Sequence, residues 1–166
     1  MQHLRACDAA EVSAILAIVN SAAEAYRGVI PPDCFHEPYM REDELRREIA
    51  AGVEFLGCES DAALIGVMGL QDVADVALIR HAYVRPTAQG RGVGAALLAA
   101  LLHRTTRRVL VGTWSDAGWA IRFYERNGFL RVPREDAAEL LARYWDISGR
   151  QVATSVVLAR PPVVSA

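Results

Sequence analysis

Apolar residues Val12, Ile15, Leu16 and Val19 recur at helical spacing behind Asp8, a natural N-cap, and residues 4–7 before them form a short strand. Residues 26–39, Y-R-G-V-I-P-P-D-C-F-H-E-P-Y, hold three prolines and no sustained period, which predicts a long surface connection. A charged helix covers 41–51 and closes at Gly52. Two β-rich runs, 53–58 and 63–70, flank E-S-D-A and read as a hairpin, and a fourth strand covers 76–84. The pattern then alternates: helix at 92–106, apolar strand at 108–114, helix at 117–127 ending before Gly128. A strand at 129–132, a helix at 135–144 and a last strand at 152–158 complete it, leaving 160–166 as a loose tail. Hairpins first and a parallel crossover later predict an α/β fold: a mixed, mostly antiparallel central sheet with helices on both faces.

With 166 residues, 52% of them hydrophobic and 23% charged, the chain is expected to fold as one domain. A formal net charge of −2 provides no field for nucleic acid, which is excluded as a partner. The local basic group Arg104, Arg107 and Arg108 complements the end of the predicted helix, with a cofactor phosphate as its other use. The longest apolar stretch, residues 95–102, falls far short of the roughly 20 needed to span a bilayer, so no membrane contact and a cytoplasmic location are expected. Cys7, Cys34 and Cys58 are odd in number and widely spaced, which predicts neither a disulfide framework nor a metal site.

The chemistry concentrates after the fourth strand. In A-Y-V-R-P-T-A-Q-G-R-G-V-G-A-A-L-L a strand meets a proline and a glycine-rich turn that runs straight into a helix. Gly90, Gly92 and Gly94 let the backbone approach an anion, and free N–H groups at the positive helix end supply donors, as a diphosphate requires. No G-K-[ST] follows, which excludes a P-loop. Gly90, Gly92 and Ala95 do satisfy G-x-G-x-x-[GA], with Asp116 at the end of the next strand, so a dinucleotide remains an alternative on the motif alone. A doubly wound domain needs repeated βαβ units, however, and one crossover is evident.

Q-G-R-G-V-G fits [QR]-x-x-G-x-[GA], the coenzyme signature of the GCN5-related N-acetyltransferase (GNAT) superfamily, and A-Y-V-R-P resembles that family's fourth-strand ending. A-I-R-F-Y-E-R-N-G-F resembles its second hallmark, so the likeness runs from about residue 4 to residue 158. It implies acetyl-CoA as cosubstrate, with Ala82, Tyr83 and Val84 along the pantetheine arm and Gln89, Gly90, Arg91, Gly92, Val93 and Gly94 at the diphosphate. Tyr124 matches the family's tyrosine acid, which protonates the departing thiolate; a core role is its alternative. The asparagine common seven residues earlier is Ala117 here, so one cofactor contact is lost or replaced.

Both places where the family often carries a carboxylate base are vacant, being Leu78 and Gly112. His81 is the nearest titratable candidate, provided that a strand bulge turns it toward the cleft; a water relay or an acceptor of low pKa would also serve. The acceptor is expected to be an amine, small molecule or peptide, met by Tyr26, Arg27, His36, Tyr39 and Trp114. A second copy of the chain in a homodimer is a further expected partner. The expected activity is acetyl transfer to a primary amine by direct attack, against a silent acyl-CoA-binding domain or a dinucleotide-dependent oxidoreductase.

Overall fold

The computed structural model describes residues 1–162. After β1 (His3–Ala6), Asp8 accepts from the Ala10 N–H at 2.8 Å while Glu11 accepts from the Asp8 N–H at 2.9 Å. This capping box starts a 3-10 turn that leads into α1 (Val12–Ala23). α2 (Glu42–Ala50) ends as Gly52 turns to φ +104°, and β2 (Glu54–Ser60) and β3 (Ala63–Val73) form the hairpin. β4 (Val76–Val84), α3 (Val93–Leu102), β5 (Arg108–Trp114) and α4 (Gly118–Arg126) follow. β6 (Leu130–Arg131), α5 (Arg134–Tyr144), α6 (Gly149–Ala153) and β7 (Ser155–Arg160) close the chain.

The sheet order is β1-β2-β3-β4-β5-β7-β6, and β4 with β5 is its one parallel pair among the described residues. The predicted mixed, mostly antiparallel fold is therefore what forms, and the repeated parallel units of a doubly wound dinucleotide domain are not there. Strand parity divides the core. Ala77, Ile79, Val109 and Val111 pack with Val93, Leu97, Leu101 and Ile121 under α3 and α4. Val76, Leu78 and Leu110 face Leu141 and Tyr144 of α5, while α1 and α2 cover Phe55 and Val67 on their side.

Four expectations need correction. The helix predicted to reach residue 106 stops at Leu102, where the Arg104 N–H bonds Leu101 O at 2.9 Å in a tightened last turn. The last strand starts at Ser155, because Ser148 caps the short helix α6 that periodicity over so few residues could not signal. Arg160, placed in the tail, pairs with Val109; residues 163–166 of that tail lie outside the described residues. Finally, the connection at 26–39 is no simple surface loop: Ile30 is buried and the Tyr26 and Tyr39 rings lie 5.3 Å apart.

Asn20 anchors the end of that connection. Its Nδ2 donates to Met40 O at 3.1 Å and its Oδ1 accepts from the Met40 N–H at 2.8 Å. Asn20→Ala strands both backbone groups beside a fully packed helix, so a loss of about 1–3 kcal/mol is expected by urea denaturation. A change below a few tenths of that would show that water replaces the clamp.

Candidate functional site

The β4–β5 ladder ends at Ile79 and Val111, although β4 continues to Val84 and β5 to Trp114. The strands splay there, and the β5-facing edge of Ala82, Tyr83 and Val84 has no ladder partner, while β3 pairs Tyr83 and Val84 on the other side. Two cavities open at this fork.

One, of about 660 Å³, is bounded by the β4 end, the glycine loop and α4. Ala82, Tyr83, Val84, Gln89, Gly90, Gly92, Val93 and Gly94 all line it; Arg91 is exposed and does not. Gly90 and Gly92 have φ +75° and +77°, and a Cβ on either would enter open space. Gly92 is the N-cap of α3 and brings no side chain to it; the first helical bond is Ala96 N–H to Gly92 O at 3.0 Å. The N–H groups of Val93, Gly94 and Ala95 therefore stand without helical acceptors at the positive end. Donors, dipole and room converge as a diphosphate would need. Gly94 differs: its Cβ would meet the Phe123 ring at 3.4 Å, so that glycine also serves the packing of α3 on α4.

Tyr124 lines the same cavity from α4 at 4% exposure, in edge contact with Phe123 and Phe129. Burial, with a smaller contribution from Tyr26, pushes its phenol well above the ordinary range, so it stays protonated across physiological pH. Arg126 and Asn127 also line this cavity and escaped the sequence reading of roles, although both sit in the second hallmark; Trp119, beside it, lines the cavity as well. Asn127 Nδ2 donates to Phe123 O at 2.7 Å. Ala117 is fully buried, and Arg104, Arg107 and Arg108 lie elsewhere, with Arg107 donating to Ala74 O at 2.7 Å.

The second cavity, of about 500 Å³, is bounded by α2, the β5 end, α5 and the 26–39 connection. Tyr26, His36, Tyr39 and Trp114 line it; Trp114 Nε1 donates to the Tyr39 hydroxyl at 2.9 Å. Arg27 lines neither cavity: it pairs with Glu24 at 2.9 Å and with Glu37, and covers the Phe35 ring. Tyr26 and Tyr83 belong to both cavities and so form the wall between them. Burial raises both phenols, against a lowering of Tyr26 by Tyr83 and Thr113.

His81 enters this second cavity through a bulge. The β3–β4 register passes from Gly69–Arg80 to Val67–Tyr83, so two β4 residues oppose one, and His81 adopts φ +52°. Unbulged parity would send it under α3 with Ile79; instead its ring stacks on Phe55 and its Nε2 meets Glu48 Oε2 of α2. Arg80 Nη2 donates to Glu48 Oε1 at 2.9 Å. Leu78 is fully buried under α5, so no carboxylate stands on β4, but one reaches the bulge from α2. Sequence spacing alone carried no signal for it.

Burial pushes the Glu48 carboxyl up, yet His81 and Arg80 outweigh burial and hold it below its ordinary range. A depressed native value adds stability above the unfolded value, which is lost as pH falls through the native one. The stability of the wild type over Glu48→Gln should thus be present at pH 7 and shrink below about pH 4.3, the unfolded reference. Denaturation curves from pH 7 to 3 check this; a constant difference would refute it.

Among the described residues no cluster of three or more His, Cys, Asp or Glu is placed to hold a metal ion, and no helix is long and apolar enough to cross a membrane. All three cysteines are free.

A family model described as "Acetyltransferase (GNAT) domain" matches residues 15–140. No curated protein matches the sequence. Among solved structures, the PaiA N-acetyltransferase of Thermoplasma acidophilum in complex with coenzyme A is 17% identical, with a TM-score of 0.73 over 97% of this chain and 99% of its own. The ribosomal-protein-S18-alanine N-acetyltransferase of Escherichia coli is also 17% identical, with a TM-score of 0.72 over 100% and 97%. The N-acetylglutamate synthase of Neisseria gonorrhoeae, complexed with coenzyme A and N-acetyl-glutamate, is 21% identical with a TM-score of 0.64 over 96% of this chain and 35% of its own.

Proposed function

The chain belongs to the GNAT family of acetyltransferases, and from that premise we propose that it transfers the acetyl group of acetyl-CoA to a primary amine by direct attack. One observation carries this reading: two cavities meet at the fork of β4 and β5 and share Tyr26 and Tyr83 as lining residues. When bound, acetyl-CoA supplies a thioester carbonyl and coenzyme A as leaving group. The cleft edge of Ala82, Tyr83 and Val84 holds the pantetheine arm, and Gly90 and Gly92 with the α3 N–H groups hold the diphosphate. Tyr124 donates its proton to the leaving sulfur, and His81 takes one from the amine on the other side. Holding both reactants in one geometry replaces a bimolecular encounter.

The vacant base positions at Leu78 and Gly112 favour one second reading, an acyl-CoA-binding domain without turnover. Melting shifts with acetyl-CoA and with NADH come first: a rise with acetyl-CoA alone supports the cofactor, and a rise with NADH alone refutes it. Thiol release is then followed with a panel of amines, from benzylamine and polyamines to amino acids and peptide N-termini. Binding without thiol release across the panel would leave the silent domain as the better account.

A further inference from the structure

We infer that Glu48 is a positioning residue for His81, holding its imidazole as the Nε2–H tautomer so that Nδ1 is the nitrogen that receives the amine proton. The inference rests on the acetyl-transfer reading above and adds to it a residue from a different element.

Three observations combine. His81 occupies the left-handed region at φ +52°, a conformation that costs a non-glycine residue about 1 kcal/mol or more and persists only when its surroundings over-determine it. The surroundings do so: Glu48 Oε2 binds Nε2, Phe55 stacks on the ring, and Arg80 fixes the second oxygen of Glu48 at 2.9 Å. The side chains of Arg80, Glu48 and His81 are 20%, 19% and 15% exposed, so water competes weakly for these bonds. Arg80 is itself held, donating to Gln71 Oε1 at 3.0 Å, which ties α2, β3 and β4 to one carboxylate.

The tautomer follows from donor chemistry. An ionised carboxylate only accepts, so Nε2 carries the proton and the ring's lone pair falls on Nδ1. Asp33, His36, Glu44, Asp146 and Arg150 also line the cavity, with Tyr26, Tyr39 and Tyr83; Arg150 is paired with Asp33 at 3.1 Å, and Arg80 is the cation bonded to Glu48. In the transfer, the ammonium N–H bond breaks, Nδ1–H forms, and the nitrogen keeps the electron pair that attacks the carbonyl carbon. The carbon–sulfur bond then breaks, the sulfur leaves with the electrons of that bond and takes the Tyr124 proton, and the second proton shed by nitrogen as the amide forms restores the phenol through solvent.

The test uses the full-length protein labelled with 15N, with His81→Ala to assign the ring resonances. Above pH 8 the wild type is expected to show a protonated Nε2 and a bare Nδ1, and Glu48→Gln, whose amide donates as readily as it accepts, a mixture of tautomers. With benzylamine, Glu48→Gln should lose at least tenfold in kcat/KM while its acetyl-CoA Kd stays within twofold. Glu48→Ala repeats both measurements should the glutamine variant fold poorly. A tautomer unchanged by either variant, or a changed tautomer with unchanged kcat/KM, overturns the assignment. If the wild type does not acetylate benzylamine while its ring behaves as stated, the acetyl-transfer reading fails and the Glu48–His81 placement stands.

Discussion

Gly92→Val is expected to weaken acetyl-CoA binding by a hundredfold or more, the largest loss from any single change in the cofactor cleft. Gly92 sits at φ +77° with nothing within 4 Å of where its Cβ would lie, and it caps α3 without a side chain. A branched side chain there fills the space above the free N–H groups and strains the turn that aims them. Each hydrogen bond to a charged oxygen is worth about 1.5–3 kcal/mol, so losing two removes about 3–6 kcal/mol, and 1.4 kcal/mol is tenfold in affinity. Calorimetry with acetyl-CoA measures it. Gly52→Val is the control, since Gly52 has φ +104° in equally open space at the end of α2, far along the chain from the cleft. Both variants should lose stability, and only the first should lose affinity. Equal affinities would remove the glycine loop from the cofactor site. Gly94→Val is the poorer probe, because its side chain strikes Phe123 first.

Tyr124→Phe should lower kcat by roughly a hundredfold, within the range of general acid catalysis, and leave the fold and acetyl-CoA affinity intact. The ring packs at 4% exposure between Phe123 and Phe129, and phenylalanine keeps that packing. Only the proton donor disappears. Burial raises the phenol pKa and so makes it a weaker acid. Because the phenol stays protonated, no limb of the pH profile near neutrality should belong to Tyr124. Single-turnover rates isolate the chemical step; a variant as fast as wild type would return Tyr124 to a purely structural role.

Local chemistry was enough to specify most of the architecture. The Asp8 cap, Gly52 and Gly128 as helix stops, and β4 at Val76–Val84 all rest on neighbours within a few residues, so the sequence determined them directly. The glycine loop was legible for the same reason: the need for positive φ and for free N–H groups is satisfied by residues adjacent in the chain. The shape of the 26–39 connection was not, since Ile30 is buried and Tyr26 and Tyr39 half-buried against Tyr83, Trp114 and Ala117, partners remote in sequence. Helix α6 and the shifted start of β7 depend on a five-residue segment too short to show a period.

The candidate base illustrates the boundary most clearly. The sequence determined that Leu78 and Gly112 carry no carboxylate and that His81 stands near the end of β4. Only the tertiary structure decided which face His81 takes, because one extra residue opposite β3 reverses strand parity, and a bulge has no compositional mark here. It also decided that Glu48, 33 positions earlier in the chain, meets that histidine. Side-chain periodicity reports the face a residue occupies within its own element, whereas charge pairs between α2 and β4 exist only once both have packed.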